Sequence, residues 1–328
     1  MNETAAAAAA QPVLAPQLTL ALAQASMAAY AAFDGTRIVP PPDFRLVASW
    51  TGWDAGLFGG VEEPYGLLFQ STYDPGTCIF AFRGTDSDMD AVAEADFITT
   101  DFVPASGALK PAPQVSSGFY GIYHNRGGGM AASMRGQLFA LLDRFAPARI
   151  FLTGHSLGAA LSQLFSLDLA VSRSLQATNI NFASPMVGTL SWQQAWDARV
   201  GAANGVRCYN YWDYVPTMPP SLAGYVPVGQ GFRTAFYVRD AWFVDELPRH
   251  SLANLQTVLQ HALWLHPQVW SGVFQDHVAP PRLMQSDVPP PGAQVAWAER
   301  AREALAFERS LRSAAAPGFP DPAGAGLD

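Results

Sequence analysis

The chain has 328 residues, 49% of them hydrophobic and 14% charged, with a formal net charge of −8. A disordered chain needs low hydrophobicity and high net charge, the opposite of this bias, and a nucleic-acid binder needs clustered Lys and Arg, against which stand a single lysine (Lys110), no basic run and the acidic balance. The length allows one large domain or two ordinary ones, with ample chain for a core.

No stretch of about 18 uninterrupted apolar residues occurs, so no transmembrane segment is expected. The alanine-rich stretch Met1 to Ala10 carries Glu3 and no Lys or Arg, and therefore lacks the positive n-region of a secretory signal. The expectation is a soluble, cytoplasmic protein, with secretion by a signal-independent route as the other possibility. The two cysteines, Cys78 and Cys208, each lie in an apolar strand-like run and read as buried free thiols.

In chain order, an N-terminal extension (1–17) precedes a helix predicted over Leu18 to Phe33 and closed by Pro40, Pro41 and Pro42. Tyr65 to Thr72 and Cys78 to Phe82 are apolar runs on either side of Asp74-Pro75-Gly76, which predicts a hairpin. Gly127-Gly128-Gly129 lacks the lysine and strand context of a phosphate loop and reads as a flexible turn.

A strand is predicted over Arg149 to Thr153, a sharp turn at Gly154, and a helix over Leu157 to Val171. A strand (Asn179 to Ala183), a tryptophan-bearing helix (Ser191 to Val200) and a further strand (Val206 to Trp212) follow. Strands alternating with helices of this length imply crossovers and a mainly parallel sheet. Tyr225 to Val228 and Phe232 to Val244 are expected to be antiparallel, and Leu252 to Leu265 helical. Beyond Asp276 prolines cluster, and one helix is predicted over Val295 to Arg312. The domain is thus placed at 18–275, with 276–328 as an appended extension.

Gly154-His155-Ser156-Leu157-Gly158 is a G-x-S-x-G between an apolar strand and a helix that opens with Ala159 and Ala160. In such a nucleophile elbow the serine adopts a strained conformation, and the flanking glycines let strand and helix approach. Ser156 is therefore the candidate nucleophile, and it needs a base and an acid that orients the base. In this architecture the chain order is Ser, then Asp or Glu, then His.

That order removes His124, and His155 lies inside the elbow. Of the remaining four, His261 and His266 fall in or at the end of a helix and His277 opens the Pro-rich tail. His250, after Pro248 and before a helix, is the expected base. Asp213 closes a strand at the edge where catalytic groups of open α/β sheets gather. Its competitors, Asp168 and Asp197, lie within helices and read as helix-surface charges. For the oxyanion, the Leu157 amide is one expected donor, and Thr85, after the strand Ile79 to Phe82 and Gly84, is the second.

The motifs Phe82-Arg83-Gly84-Thr85, Gly118-Phe119 within Val115 to Tyr120, Thr153 to Ala160, and Asn181-Phe182-Ala183-Ser184-Pro185-Met186-Val187-Gly188 occur in that order. Asn210 to Pro220, ending in Met218-Pro219-Pro220, and His250-Ser251-Leu252-x-Asn254 complete the set. Together, over roughly Leu18 to Leu265, the chain resembles the class 3 (fungal-type) lipase family. The resemblance implies an α/β-hydrolase fold, lipase or esterase activity without a cofactor, Ser156, Asp213 and His250 as triad, and Thr85 as an oxyanion residue. The segment around His250 departs most from the family pattern.

Between Thr85 and Val115 the family carries its lid, expected here at about 86–112. The stretch alternates carboxylates (Asp86, Asp88, Asp90, Glu94, Asp96, Asp101) with apolar Val92, Phe97, Ile98, Phe102 and Val103. That is the amphipathic texture a mobile cover needs, and its charge predicts a preference for neutral over anionic ester surfaces. Asp86-Ser87-Asp88-Met89-Asp90 begins like a calcium loop, but Ala91 and Phe97 stand where the glycine and bidentate glutamate belong, so no metal is predicted.

The sequence thus predicts a serine hydrolase acting on a lipid or small ester, with a lipid–water interface as one expected place of action. Phospholipase A-type or feruloyl-esterase-type specificity is the near variant, and a non-catalytic binding module on a hydrolase fold is the alternative of another class.

Overall fold

The computed structural model describes residues 13–54, 60–84, 98–219, 223–238, 247–265, 267–268, 270–271 and 283–285. A short strand β1 (Val13–Leu14) leads into helix α1 (Pro16–Phe33), whose proline sits in the first turn, where the missing N–H costs nothing. Strands β2 (Phe44–Asp54), β3 (Val61–Ser71) and β4 (Thr77–Phe82) follow. The expected hairpin is β3–β4, registered from Gly66 opposite Phe82 to Gln70 opposite Cys78. Its turn is closed by Asp74, which accepts from the Gly76 amide at 3.1 Å and the Thr77 hydroxyl at 2.6 Å.

Next come β5 (Thr99–Asp101), β6 (Gln114–Ser116), α2 (Ser117–His124) and α3 (Met134–Phe145), the last capped by the Ser133 hydroxyl on the Gly136 amide. β7 (Arg149–Gly154), α4 (Leu157–Arg173), β8 (Thr178–Phe182), β9 (Gly188–Thr189), α5 (Leu190–Arg199) and β10 (Gly205–Asn210) supply the expected alternation. The chain continues with β11 (Tyr225–Val226), β12 (Gln230–Thr234), β13 (Phe236–Val238), a helical turn Leu247–His250 and α6 (Leu252–Leu265). β14 (Trp270–Ser271) and β15 (Leu283–Gln285) are short.

The main sheet has seven strands in the order β12-β10-β8-β7-β4-β3-β2. β12, β10, β8, β7 and β4 run parallel, and β3 and β2 extend the sheet antiparallel. Two apolar layers cover its faces. Phe80, Phe82 and Leu152 pack with Leu138, Leu161, Phe165 and Trp192 on one side; Ile79, Ala81, Phe182 and Cys208 pack with Leu22, Ala25, Leu255 and Leu259 on the other. Burial on both faces explains why β4 reads as the unbroken run Thr-Cys-Ile-Phe-Ala-Phe, with every side chain buried. A second sheet, β11-β9-β6-β5, is antiparallel.

Several expectations change. Phe232 to Val244 is not one antiparallel strand: β12 is parallel to β10 in the main sheet, and the chain bends at Ala235 into β13, which pairs antiparallel with β15. β2 has no counterpart among the predicted elements. Val13–Leu14, in the expected N-terminal extension, pairs with Trp270–Ser271, and β15 lies within the expected C-terminal one. Gly127 and Gly128 lie against the Trp53 indole, so closely that a Cβ on Gly127 would stand 2.0 Å from the ring, which makes them packing residues and not merely a turn. Both cysteines are free and buried.

Thr85, residues 86–97 of the expected lid, His266, His277 and the predicted helix Val295 to Arg312 lie outside the described residues. The described remainder of the lid segment is fastened to the body. Phe102 is buried against Tyr120 and Trp192, and the Ala105 amide donates to Asp168 at 2.7 Å. Ile98 and Val103 are exposed.

Candidate active site

β7 ends at Gly154 and α4 begins at Leu157, so His155 and Ser156 make the whole reversal. Ser156 has φ 54° and ψ −126°, a conformation L-residues seldom adopt and which costs on the order of 1–3 kcal/mol. The surroundings impose it. The Ser156 amide donates to the Phe182 carbonyl at 3.0 Å, and the Ser156 carbonyl accepts from the Ala159 amide at 3.0 Å.

Both elbow glycines are required by space. A Cβ on Gly154 would lie 2.4 Å from the Gly158 carbonyl, and one on Gly158 would lie 2.5 Å from the Phe82 carbonyl oxygen. Gly84, one residue before Thr85, is as tight: its Cβ would meet the Ser156 Cβ at 3.2 Å and the Tyr30 hydroxyl at 2.1 Å. The end of β4 that leads to Thr85 is therefore pressed directly against the nucleophile.

Ser156 is fully buried, and its Oγ makes no hydrogen bond to the described residues. Asp213 and His250, 37 positions apart, are brought together: His250 Nδ1 lies 2.7 Å from Asp213 Oδ2, with both side chains buried. The other carboxylate oxygen, Oδ1, accepts from the Val215 amide at 2.9 Å. The acceptor carboxylate places the proton on Nδ1, so Nε2 is the basic nitrogen of a neutral His250. Leu157, the expected oxyanion donor, is the first residue of α4, where an amide has no helical partner.

Ser156, Asp213 and His250 follow β7, β10 and the β12–β13 strands, at the C-terminal edge of the parallel sheet. The competing aspartates differ from expectation in one case. Asp197 is exposed on α5, but Asp168 is fully buried, accepting from the Ala105 amide (2.7 Å), the Ser172 hydroxyl (2.7 Å) and the Tyr123 hydroxyl (2.8 Å). It is a structural tie between α4 and the 98–113 segment, because α4 is covered on all sides over most of its length.

Three further residues build the site without a sequence-based assignment. Asn210, at the end of β10, donates from Nδ2 to the carbonyls of Phe236 (2.8 Å) and Arg249 (3.2 Å) and accepts at Oδ1 from the Phe236 amide (3.0 Å). Arg83 pairs with Glu63 at 2.8 Å and lies 3.7 Å over the Phe33 ring, which anchors the turn before Thr85. His155 contacts His250 and Tyr30. The signal that could have found them is a polar residue at the C-terminal end of an otherwise apolar strand, where solvation must come from another element.

The mainly parallel sheet with helices on both faces and the strained strand–turn–helix at Ser156 define an α/β-hydrolase fold. Residues 79–223 match the family model of Lipase (class 3). The match contains Ser156 and Asp213 and ends before His250.

The chain is 32% identical over 197 residues to phospholipase A1-II 3 of Oryza sativa subsp. japonica, which covers 53% of this chain and 44% of the relative. It is 26% identical over 179 residues to the lipase of Rhizomucor miehei, covering 52% and 43%. It thus spans less than half the length of either relative. Among solved structures, Lip2 lipase from Yarrowia lipolytica superposes with a TM-score of 0.53 at 20% identity over 66% of this chain and 78% of that one. Lipase II from Rhizopus niveus gives 0.51 at 20% identity over 69% and 82%. These two likenesses establish the fold.

Proposed function

We propose that this chain hydrolyses carboxylic esters of lipids through an acyl-enzyme on Ser156. The observation that carries the reading is the buried Asp213–His250 pair at 2.7 Å on the same sheet edge as a serine held at positive φ. Nε2 of His250 takes the hydroxyl proton as Ser156 Oγ attacks the ester carbon, and Asp213 steadies the imidazolium that forms. The Leu157 amide donates to the oxyanion, and Thr85 is the second donor in this reading. Collapse of the tetrahedral intermediate breaks the bond to the alcohol, which leaves with the proton from His250. Water then attacks the acyl-enzyme by the same route and releases the acid.

The substrate class is a triacylglycerol or simple carboxylic ester. Phospholipase A-type cleavage is the second reading, favoured by the phospholipase A1 relative in rice. We also place the reaction at a lipid–water interface, since Ile98 and Val103 present apolar side chains to solvent beside the acidic 86–97 segment. A fluorophosphonate probe should label the protein and fail to label Ser156→Ala. Rates on p-nitrophenyl esters of increasing chain length, triolein emulsion and phosphatidylcholine vesicles then assign the substrate. A protein that takes no label and turns over none of these esters is a binding module, and the hydrolase reading fails. Equal rates on neutral and anionic vesicles would remove the acidic lid from it.

A further inference from the structure

The triad reading gives no part to His155, the residue inside the elbow. Its ring is buried, with Nε2 2.8 Å from the main-chain carbonyl oxygen of His250 and Nδ1 2.8 Å from the Tyr30 hydroxyl. The rings of His155 and His250 lie 4.6 Å apart at 42°. A carbonyl oxygen only accepts, so Nε2 carries the proton and donates to His250. Burial first, then the neighbouring His250, hold the ring's protonation well below the ordinary histidine range. It is therefore neutral, Nδ1 is an acceptor, and the Tyr30 hydroxyl donates to it.

The path from Tyr30 runs through the most confined point of the site. A side chain on Gly84 would collide with the Tyr30 hydroxyl and with the His155 carbonyl. Helix α1, the strand end before Thr85, the elbow and the His250 turn therefore meet at one hydrogen-bonded strut. His250 needs such a hold because it ends a four-residue helical turn, too short to be rigid alone. The preceding carbonyl, that of Arg249, is held by Asn210, so successive carbonyls each receive a buried side-chain donor.

We infer that His155 is a positioning residue: bonded to the carbonyl of His250 and itself oriented by Tyr30, it sets the place of the general base relative to the serine next to it in the chain. The inference rests on Ser156 and His250 acting as nucleophile and base. A neutral His155 also suits that chemistry, since a second cation 4.6 Å away would oppose formation of the His250 imidazolium.

The test compares His155→Phe, His155→Gln and Tyr30→Phe with the wild type on p-nitrophenyl butyrate, with fluorophosphonate labelling rates and melting curves. His155→Phe fills the space without a donor and should lower kcat by about 10- to 100-fold, the cost of slight misplacement of a reacting group, with KM within about twofold. In His155→Gln the side-chain amide reaches the place of Nε2 and should restore kcat to within about threefold of wild type. Tyr30→Phe should lower kcat by about two- to fivefold at unchanged KM.

The proton bridging His250 and Asp213 gives a downfield NMR resonance, which should move in His155→Phe and hold in His155→Gln, a readout that needs no turnover. The strut is overturned if His155→Phe keeps kcat within twofold, or if His155→Gln falls as far as His155→Phe at wild-type melting temperature. Should His155→Phe not fold, Tyr30→Phe decides: an unchanged kcat overturns the strut, and a fall at constant KM supports it. A wild type that takes no probe overturns the hydrolase reading instead, leaving the resonance to test the strut by itself.

Discussion

Gly158→Ala separates the site's geometry from the fold's stability. Gly158 is the second residue of α4, and a Cβ there would stand 2.5 Å from the Phe82 carbonyl oxygen and 2.6 and 2.7 Å from the Arg83 carbonyl carbon and oxygen. Ordinary contact begins near 3.4 Å, so the shortfall is roughly 0.7 to 0.9 Å, and every atom met is backbone. β4 cannot yield by itself, because it is bonded to β3 on one side and β7 on the other.

Helix start and strand end must therefore separate by most of an ångström, which carries Ser156 and the Leu157 amide away from Gly84. Forced packing of one methyl costs about 1–3 kcal/mol of stability. A displacement of about 1 Å between reacting groups costs about 100-fold in rate. Gly158→Ala should thus melt several degrees lower yet remain folded at 25 °C, with kcat on p-nitrophenyl esters down about 100-fold and fluorophosphonate labelling slowed in parallel. Gly121→Ala is the control. Its Cβ would meet only the Asn125 side-chain nitrogen at 3.4 Å, inside α2, so it should gain about 0.5–1 kcal/mol of stability and leave kcat alone. If Gly158→Ala keeps kcat within threefold, the close approach does not set the oxyanion geometry.

Asp168→Ala removes the common acceptor of the Ala105 amide, the Ser172 hydroxyl and the Tyr123 hydroxyl, and urea unfolding should show a loss of about 2–4 kcal/mol; a loss below 1 kcal/mol would mean the tie is dispensable. Burial pushes the Cys78 thiol up to about 11, with Asp74 adding to it, and raises that of Cys208 further, so iodoacetamide at pH 8 should modify neither thiol in the native protein and both in denaturant. His155 gives an acid limb. The native ring resists protonation well below 6.5 while the unfolded ring protonates near it, so the unfolded state binds the extra proton and stability falls as pH drops below about 6.5. The slope from this ring approaches 1.4 kcal/mol per pH unit, and His155→Gln should flatten the unfolding free energy between pH 6.5 and 5 by about that amount.

What the sequence could show depended on how local the cause was. β4, β7, β8 and β10 are covered on both faces, so each appears as a compact apolar run and needs no knowledge of its neighbours. β2 is an edge strand of eleven residues with mixed exposure, and it pairs with β3 through two register shifts, at Leu46/Ala48 and Trp50/Thr51. Its pairing creates its pattern, and no window of sequence contains that pairing. The direction of β12 was hidden for another reason. No long helix fills the described part of the connection from β10, so the usual sign of a parallel crossover is missing. Instead Gly229, at φ 70°, lets the chain start β12 tight against Gly205, where a Cβ would lie 2.5 Å from the Gly205 carbonyl oxygen.

The site divides along the same line. Ser156 and Asp213 each follow closely on the C-terminal end of a parallel strand, β7 and β10, and share one sheet edge, so residue type, position and chain order together were enough. Asp168 offered the same residue type without the same position, and the helical period suggested a surface that the 98–113 segment in fact covers. The supporting residues are harder still. His155 meets Tyr30 across 125 positions and His250 across 95, and Asn210 meets Arg249 across 39. Each is a lone polar residue whose purpose lies in a carbonyl or hydroxyl brought by another element. A motif records the groups that react because their chemistry restricts the residue type. The groups that aim them are restricted by geometry, and that becomes visible only when buried donors are matched to the acceptors they must satisfy.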